Sequence, residues 1–127
     1  RQIMNAYDHL NVALVGIGTA DNTSSAFRSG YYSDEMKQQA VKDQVCGDIC
    51  MHLFDKEGRT DCFPYNKQIV GVNLNKLKKV PYAIGIAHGV RKAEAIRGAI
   101  KGGYINVLVT DAQCGEALTR LNDELNN

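Results

Sequence analysis

The sequence predicts an α/β fold in which a mostly parallel β-sheet is flanked by helices. The prediction rests on three apolar runs, each of which ends at glycine or a small polar residue: Val12 to Val15, Tyr82 to Ala87 and Ile105 to Val109. The second and third runs are followed by apolar residues at helical spacing. Two successive strand–helix units of this kind indicate parallel strands joined by right-handed crossovers.

The first part of the chain predicts the end of a helix and then a strand. Gln2 to Leu10 resembles the tail of a helix and the chain starts at Arg1, so we expect it to be a piece of a longer protein. Val12 to Val15 has the continuous apolar pattern of a strand buried on both faces, which Gly16 to Thr19 would stop. The turn formers from Asp21 to Ser25 then begin a loop.

The middle of the chain predicts a capped helix and a hairpin. Ser33 is a good N-cap for a short helix over Asp34 to Lys42. The turn-forming segment Asp55 to Arg59 separates Val45 to Phe54 from Cys62-Phe63, which indicates a hairpin.

The second half predicts a short strand and three helical segments. Ile69 to Val72 is the candidate strand, and one or two helical turns follow before Pro81 stops them. The last two helices each have one apolar face, formed by Ala93, Ile96 and Ile100 in the first and by Cys114, Leu118, Leu121 and Leu125 in the second. Gly102-Gly103 ends the first of these helices, and Thr110-Asp111 caps the second.

Length and composition are those of one ordinary domain. The chain has 127 residues, of which 44% are hydrophobic, and this suffices for a core. Fifteen Lys and Arg nearly balance fourteen Asp and Glu, so no uniform field favours nucleic acid or an anionic membrane. The apolar runs are far shorter than the roughly 20 residues of a membrane-spanning helix, and no secretory signal is present. We therefore expect a cytoplasmic location without membrane contact.

Glycines and a lysine at the predicted strand ends indicate an anion site. Ligands of open parallel sheets bind beyond the carboxyl ends of the strands, which here are Gly16 to Thr19, Ala87 to Lys92 and Thr110-Asp111. Gly18 and Gly89 would free backbone N–H groups for an anion, and Lys92 would add a positive charge. Either glycine could equally serve only the turn from strand to helix. No dinucleotide fingerprint or Walker loop is complete, so we expect no cofactor.

Asp48 and Arg28 are the other candidate site residues. Asp48 lies inside an apolar run, where a carboxylate costs free energy unless it is paired. It could hold sugar hydroxyls, although a salt bridge to Arg28 or Lys92 would also explain it. Arg28 could bind a phosphate through its planar fork, or it could be a surface residue. The cysteines and histidines match none of the paired zinc patterns, and no catalytic constellation is visible, so we expect neither a metal site nor an enzyme.

Six segments occur in a specific order along the chain: Val12 to Gly18, Phe27 to Tyr31, Gly47 to Ile49, Phe54 to Gly58, Lys92 to Ile96 and Gly102 to Asp111. Together they resemble the effector-binding domain of the SorC family of bacterial transcriptional regulators. The resemblance spans nearly the whole chain, and its strongest element is Gly102 to Asp111. His88 stands where the family often has a second glycine.

The resemblance implies a Rossmann-like fold, akin to sugar-phosphate isomerases and glucosamine-phosphate deaminases, that binds a phosphorylated sugar without turnover. It implies that residues 1–127 are the C-terminal portion of an effector domain that forms dimers or tetramers. It also implies that operator DNA is bound by an N-terminal helix-turn-helix absent from this chain. By similarity, Asp48 holds sugar hydroxyls, Lys92 lies near the bound phosphorylated sugar and Arg28 makes a further effector contact.

We therefore expect the chain to sense a phosphorylated sugar for a transcriptional regulator, with Asp48, Lys92 and Arg28 assisted by the backbone of Gly18 and Gly89. Two alternatives stay open at this point. One is a sugar-phosphate isomerase or deaminase of the same fold, with Asp48 as general base. The other is a purely structural oligomerisation domain.

Overall fold

Two three-stranded sheets, one parallel and one antiparallel, organise the chain. The computed structural model describes residues 1–127. The strands are β1 (Val12–Gly16), β2 (Gly18–Thr19), β3 (Val45–Ile49), β4 (His52–Asp55), β5 (Tyr82–Ile86) and β6 (Val107–Val109). The parallel sheet has the order β1-β5-β6, and the antiparallel sheet has the order β2-β3-β4.

Six α-helices surround the strands. They are α1 (Gln2–Ala6), α2 (Ser25–Arg28), α3 (Asp34–Lys42), α4 (Leu74–Leu77), α5 (Ala93–Lys101) and α6 (Ala112–Asn126), with 3₁₀ turns at Tyr7–His9, Pro64–Gln68 and Val90–Lys92. The predicted caps are confirmed, because Ser33 accepts a hydrogen bond from the N–H of Met36 and Asp111 accepts one from the N–H of Cys114. None of these helices combines the length and the apolar character that crossing a membrane requires.

The predicted strand–helix units are confirmed. β5 is followed by α5, β6 is followed by α6, and β5 pairs in parallel with both neighbours. The main core lies on one face of this sheet, where Ala13 and Ala83 pack in a cluster that includes Ile96 of α5 and Cys114 of α6. Small residues on the strands let the helices approach the sheet closely.

The other face of the parallel sheet is exposed, so the prediction that Val12 to Val15 is buried on both faces was wrong. Val12 and Leu14 are 54% and 66% exposed, whereas Ala13 between them is buried. The reason is that α5 and α6 both pack on the Ala13 side, and nothing in residues 1–127 covers the opposite side. The continuous apolar run does predict a strand with two apolar faces, but only one face is covered by this chain.

The hairpin turns earlier than the sequence suggested. β3 and β4 pair directly, with Ile49 opposite His52, and the turn consists of Cys50 and Met51. Both turn residues are left-handed, with φ of 51° and 67°. This is the geometry of a type I′ turn, which usually contains asparagine or glycine, so Cys50 and Met51 carry no sequence signal for it. The predicted strand at Ile69 to Val72 is also not formed.

A second, smaller core joins the antiparallel sheet to the segments around it. It consists of Phe27, Tyr32, Ala40, Leu53 and Phe63. The buried side chain of Asn66 links β4 to the loop that follows this strand. It accepts a hydrogen bond from the N–H of Leu53 at 2.8 Å and donates to the carbonyls of Leu53 and Thr60 at 2.7 and 2.8 Å. These three hydrogen bonds fix the antiparallel sheet against its loop.

Candidate functional site

A cavity of about 310 Å³ lies where the carboxyl ends of β1 and β5 meet the antiparallel sheet. Its volume is that of a site for a small ligand. Most of its lining is glycine or polar: Gly16, Ile17, Gly18, Thr19, Thr23, Ser24, Ser25, Ala26, Asp48, Ile86, Arg91 and Lys92. The predicted site residues Gly18, Asp48 and Lys92 are therefore brought together.

Asp48 reaches the cavity through strand pairing. β2 and β3 are antiparallel, and their register places Asp48 opposite Gly18. A side chain at Gly18 would collide with Oδ1 of Asp48, so glycine is required for this close approach. The predicted role of Gly18 was to free a backbone N–H, and the structure adds this second, steric requirement.

The carboxylate of Asp48 is held in a partly desolvated position. Burial raises its pKa above the ordinary value of 3.8, while hydrogen bonding by the backbone of Met51 and the positive charge of Lys92 act in the opposite direction. The three ion pairs of the structure are Arg59–Asp55, Lys76–Asp8 and Lys101–Glu57. Asp48 thus has no ion pair with Arg28 or Lys92, and the salt-bridge explanation for its position does not apply.

Lys92 brings a positive charge into the same cavity. It is the last residue of the 3₁₀ turn Val90–Lys92 and directly precedes α5. Its Nζ donates a hydrogen bond to the carbonyl of Ile17 at 3.0 Å, which holds the ammonium group beside the β1–β2 junction. A carboxylate and an ammonium group from distant parts of the chain therefore line one cavity without pairing directly.

Gly89 and Arg28 lie outside the lining of this cavity. Gly89 has φ of 97°, a conformation that favours glycine, and its N–H donates to Oδ2 of Asp111 at 2.6 Å. Because this N–H already has an acceptor, Gly89 does not offer the free donor that the sequence suggested. Arg28 is exposed at the end of α2, rather than in a loop, and forms no ion pair.

Asp111 organises the neighbouring strand ends. Its carboxylate accepts hydrogen bonds from the N–H groups of Cys114 and Gly89, and these hydrogen bonds lower its pKa below the usual range. One side chain thus caps α6 and fixes the β5–α5 connection. Asp111 supports the loop that carries Lys92 and does not line the cavity.

Sequence reasoning missed Arg91 and the hydroxyl residues of the β2–α2 segment. Arg91 lines the cavity and also an adjoining one of about 340 Å³, with Thr19 shared between them. The sequence pattern indicates Thr23, Ser24 and Ser25 only as turn formers, although all three line the cavity. The signal available in the sequence was that Arg91 directly precedes the candidate Lys92.

The arrangement suits a ligand that is both polyhydroxylated and anionic. One carboxylate, several hydroxyls and exposed glycine backbone can exchange hydrogen bonds with sugar hydroxyls, and two cationic side chains can attract a negative group. No three His, Cys, Asp or Glu side chains lie together as a set of metal ligands.

A family model described as "Putative sugar-binding domain" matches residues 1–120. Among curated proteins, the chain is 38% identical over 108 residues to the deoxyribonucleoside regulator of Bacillus subtilis, covering 85% of this chain and 34% of that protein. It is 34% identical over 120 residues to the sorbitol operon regulator of Klebsiella pneumoniae, covering 94% of this chain and 38% of that protein.

The fold agrees with these sequence matches. The crystal structure of the full-length sorbitol operon regulator SorC from Klebsiella pneumoniae superposes with a TM-score of 0.83 at 36% identity, covering 92% of this chain and 38% of that one. The probable sor operon regulator from Shigella flexneri superposes with a TM-score of 0.80 at 36% identity, covering 92% and 45%. The chain spans between a third and two fifths of the length of these two curated relatives.

Proposed function

This chain belongs to the SorC family of sugar-binding transcriptional regulators, and from that membership we propose that it is the C-terminal portion of an effector-binding domain that binds a phosphorylated sugar. The observation that carries the proposal is the shared cavity of Asp48 and Lys92. The proposed contacts are these two side chains and the backbone at Gly18, to which we add Arg91. Arg28 and Gly89 are outside the cavity and are not part of the proposed contact set.

Asp48 is the proposed partner of the sugar hydroxyls. Each carboxylate oxygen can accept a hydrogen bond from a hydroxyl, and the two oxygens match a pair of neighbouring hydroxyls on a sugar ring. Because burial disfavours the charged carboxylate, donors from a bound sugar would relieve a cost that the folded chain already bears. This argument supports recognition of hydroxyls rather than a structural role for Asp48.

Lys92 and Arg91 are the proposed partners of the anionic group. Adjacent in sequence, they line the same cavity with the hydroxyl residues Thr23 and Ser25. A phosphate accepts hydrogen bonds from ammonium, guanidinium and hydroxyl groups alike, so this wall has the donors that a phosphate requires. With an uncharged sugar, the two cations would have only the single negative charge of Asp48 beside them in the cavity, whereas a phosphate would supply further negative charge.

For the whole protein, we propose a cytoplasmic homo-oligomeric regulator that binds operator DNA through a separate domain. The names of the two curated relatives, a deoxyribonucleoside regulator and a sorbitol operon regulator, support an effector derived from a carbohydrate. The effector would act by favouring one quaternary arrangement, because a ligand with equal affinity for two states shifts neither. The relatives are regulators, not enzymes, so the isomerase or deaminase alternative is not favoured.

Binding measurements on the complete protein test the proposal. Matched pairs of sugars, each with and without its phosphate, are titrated by calorimetry and thermal shift. We expect saturable binding of at least one phosphorylated sugar without product, and a stabilisation of about 2.7 kcal/mol at 100 times its dissociation constant. If the matched unphosphorylated sugar binds with equal affinity, the phosphate is not part of what the site recognises. If no sugar binds, the proposed effector role is wrong. If product forms, the isomerase or deaminase alternative applies instead.

A further inference from the structure

Tyr32 connects the smaller core to the hairpin turn beside the candidate site. Its side chain is 3% exposed, and its hydroxyl donates a hydrogen bond to the carbonyl of Met51 at 3.2 Å. A buried tyrosine hydroxyl usually finds such a partner. Here the partner belongs to the two-residue turn of Cys50 and Met51 rather than to a helix or a strand. The hydrogen bond therefore restrains the turn from the side of the core.

The turn depends on such restraints because its backbone conformation is unfavourable. Cys50 and Met51 both have positive φ, a region that residues with side chains rarely adopt. Conformations of this kind persist only where the surrounding structure holds them. The pairing of Ile49 with His52 holds the turn from within the hairpin. The hydroxyl of Tyr32 adds a restraint from outside the hairpin.

The same turn contacts Asp48. Hydrogen bonding by the backbone of Met51 opposes the burial that raises the pKa of Asp48. An ionised carboxylate can only accept, so Met51 donates to Asp48 through its N–H while its carbonyl accepts from Tyr32. The tyrosine also senses the carboxylate directly, because burial raises the pKa of Tyr32 and the negative charge of Asp48 raises it further. The backbone of one residue thus links a buried tyrosine to the proposed effector contact.

Apolar contacts fix the ring of Tyr32 independently of its hydroxyl. The ring packs against Phe27, with ring centroids 4.9 Å apart. It also shares the smaller core with Leu53, which pairs with Asp48 across β3 and β4. Removing the hydroxyl alone should therefore leave the ring in place and release only the turn.

We propose that Tyr32 is a positioning residue for effector binding: through the Cys50–Met51 turn, its hydroxyl holds the carboxylate of Asp48 in the orientation that accepts hydrogen bonds from the sugar hydroxyls. This inference rests on the proposed function, because it concerns the same site. Tyr32 does not line the cavity, so it would act without touching the effector. Its influence falls on the hydroxyl end of the ligand and not on the anionic end at Lys92.

Affinity measurements on the complete protein test the inference, with Tyr104→Phe as the matched control. Tyr104 is 2% exposed, and its hydroxyl also donates to a backbone carbonyl, that of Gly58. Neither Tyr104 nor Gly58 lines the cavity. The two variants therefore lose the same kind of hydrogen bond, one beside the site and one away from it.

The probes are the phosphate esters of ribose, deoxyribose and sorbitol, chosen because the relatives are a deoxyribonucleoside regulator and a sorbitol operon regulator. For any of these that binds the natural protein, calorimetric titration should show an affinity about three- to tenfold lower in Tyr32→Phe. The affinity of Tyr104→Phe should stay within about twofold of the natural value. An equal loss in both variants would overturn the inference, because it would show a general effect on the fold.

A double-substitution cycle shows whether Tyr32 acts through Asp48. In an Asp48→Ala background no carboxylate remains to be positioned, so Tyr32→Phe should change the affinity less than about twofold. In a Lys92→Met background the loss of about three- to tenfold should persist, because the anionic end of the ligand is contacted independently. Equal factors in the two backgrounds would show that Tyr32 does not act through Asp48 and would overturn the inference.

A measurement without sugar separates this inference from the proposed function. Losing the Met51 hydrogen bond would raise the pKa of Asp48 further, so its ionisation at neutral pH would cost the folded chain more. The rise in the thermal unfolding midpoint on Asp48→Asn should therefore be larger in a Tyr32→Phe background than in a Tyr104→Phe background. This difference should vanish at a pH below the ordinary pKa of 3.8.

The other charged or titratable groups around Asp48 are common to both backgrounds. They are Lys92 and Arg91 of the turn before α5 and the thiol of Cys50 in the hairpin. If none of the three phosphate esters binds the natural protein, the proposed function fails for these sugars, and the sugar-free comparison still decides whether Tyr32 positions Asp48. An equal midpoint rise in the two backgrounds would overturn the inference even where a sugar phosphate binds.

Discussion

Gly18 and Asp48 face one another across β2 and β3, and the Oδ1 of Asp48 occupies the space that a side chain at residue 18 would fill. The carboxylate is therefore positioned by the absence of a side chain on the neighbouring strand. This steric relationship makes the glycine as important to the proposed site as the acid itself.

The first prediction concerns Gly18→Ala. The new methyl group should push the carboxylate of Asp48 away from its position, so we expect effector affinity to fall about tenfold or more, as for the loss of a charged hydrogen bond. Gly18 does not have a positive φ, so the backbone tolerates alanine and the stability loss should stay near 1 kcal/mol. Calorimetric titration and chemical denaturation measure the two effects.

Gly115→Ala is the matched control for that experiment. Gly115 lies on α6, and a side chain there would meet open space. Alanine should leave the affinity unchanged and stabilise the helix slightly. If both glycine variants bind the effector as well as the natural chain does, Asp48 is not held by Gly18 in the way described.

The second prediction concerns how the ionisation of Asp48 makes the stability of the fold depend on pH. Its folded-state pKa lies above the ordinary 3.8, so the folded chain binds this proton more tightly than the unfolded chain, and ionisation destabilises the fold as the pH rises through that range. Asp48→Asn removes the ionisation and keeps an oxygen acceptor for Met51. Without added effector at pH 7, the variant should be more stable than the natural chain by on the order of 1 kcal/mol, and the difference should vanish below about pH 3.8.

Denaturant unfolding across the pH range checks the Asp48 prediction, with Asp123→Asn, at an exposed position of α6, as the control. The same Asp48→Asn protein should lose effector affinity about tenfold or more. A variant that is less stable than the natural chain at pH 7 would show that the carboxylate serves the fold rather than a ligand.

The third prediction distinguishes the contributions of Lys92 and Arg28 to effector affinity. Lys92→Met should weaken effector binding about tenfold or more without unfolding the domain, because the apolar stem is preserved and the buried face of α5 is intact. Arg28→Met should change the affinity less than about twofold, because Arg28 does not line the cavity. Lys42→Met, on the exposed end of α3, is the control. A larger loss from Arg28→Met than from Lys92→Met would reverse the proposed assignment.

The fourth prediction concerns stability alone. Asn66→Ala removes two buried hydrogen bonds and one partly buried one, and it leaves the N–H and carbonyl of Leu53 without these partners. We therefore expect a loss of roughly 2–4 kcal/mol in the free energy of unfolding. Asn73→Ala, which removes only the cap of α4, should cost about 1 kcal/mol. Urea denaturation of the two variants side by side checks the ranking, and an equal cost would contradict it.

Local signals in the sequence predicted much of the fold. Ser33 and Asp111 were identified as caps because a capping side chain acts on residues two or three positions away. The strand–helix units were identified because the period of apolar residues changes along the chain. Asp48 and Lys92 were identified because each departs from its surroundings, one as an acid in an apolar run and the other as a cation after a glycine.

The remaining features depend on distant parts of the chain. The pairing of Gly18 with Asp48 follows from tertiary register, which no local pattern encodes. The occupied N–H of Gly89 depends on Asp111, twenty-two positions away. The exposure of Leu14 could not be predicted either, because an apolar strand has the same sequence whether or not a layer covers it.

The left-handed turn at Cys50 and Met51 has a consequence for how the site could be altered. Two residues with side chains hold a conformation that glycine or asparagine would adopt more readily, which makes the hairpin less stable than it could be. The same turn directs the backbone of Met51 toward the carboxylate of Asp48. A substitution that tightens this hairpin would move the backbone of Met51 and with it the Asp48 carboxylate, which we propose as an effector contact, although the turn lies outside the lining of the cavity.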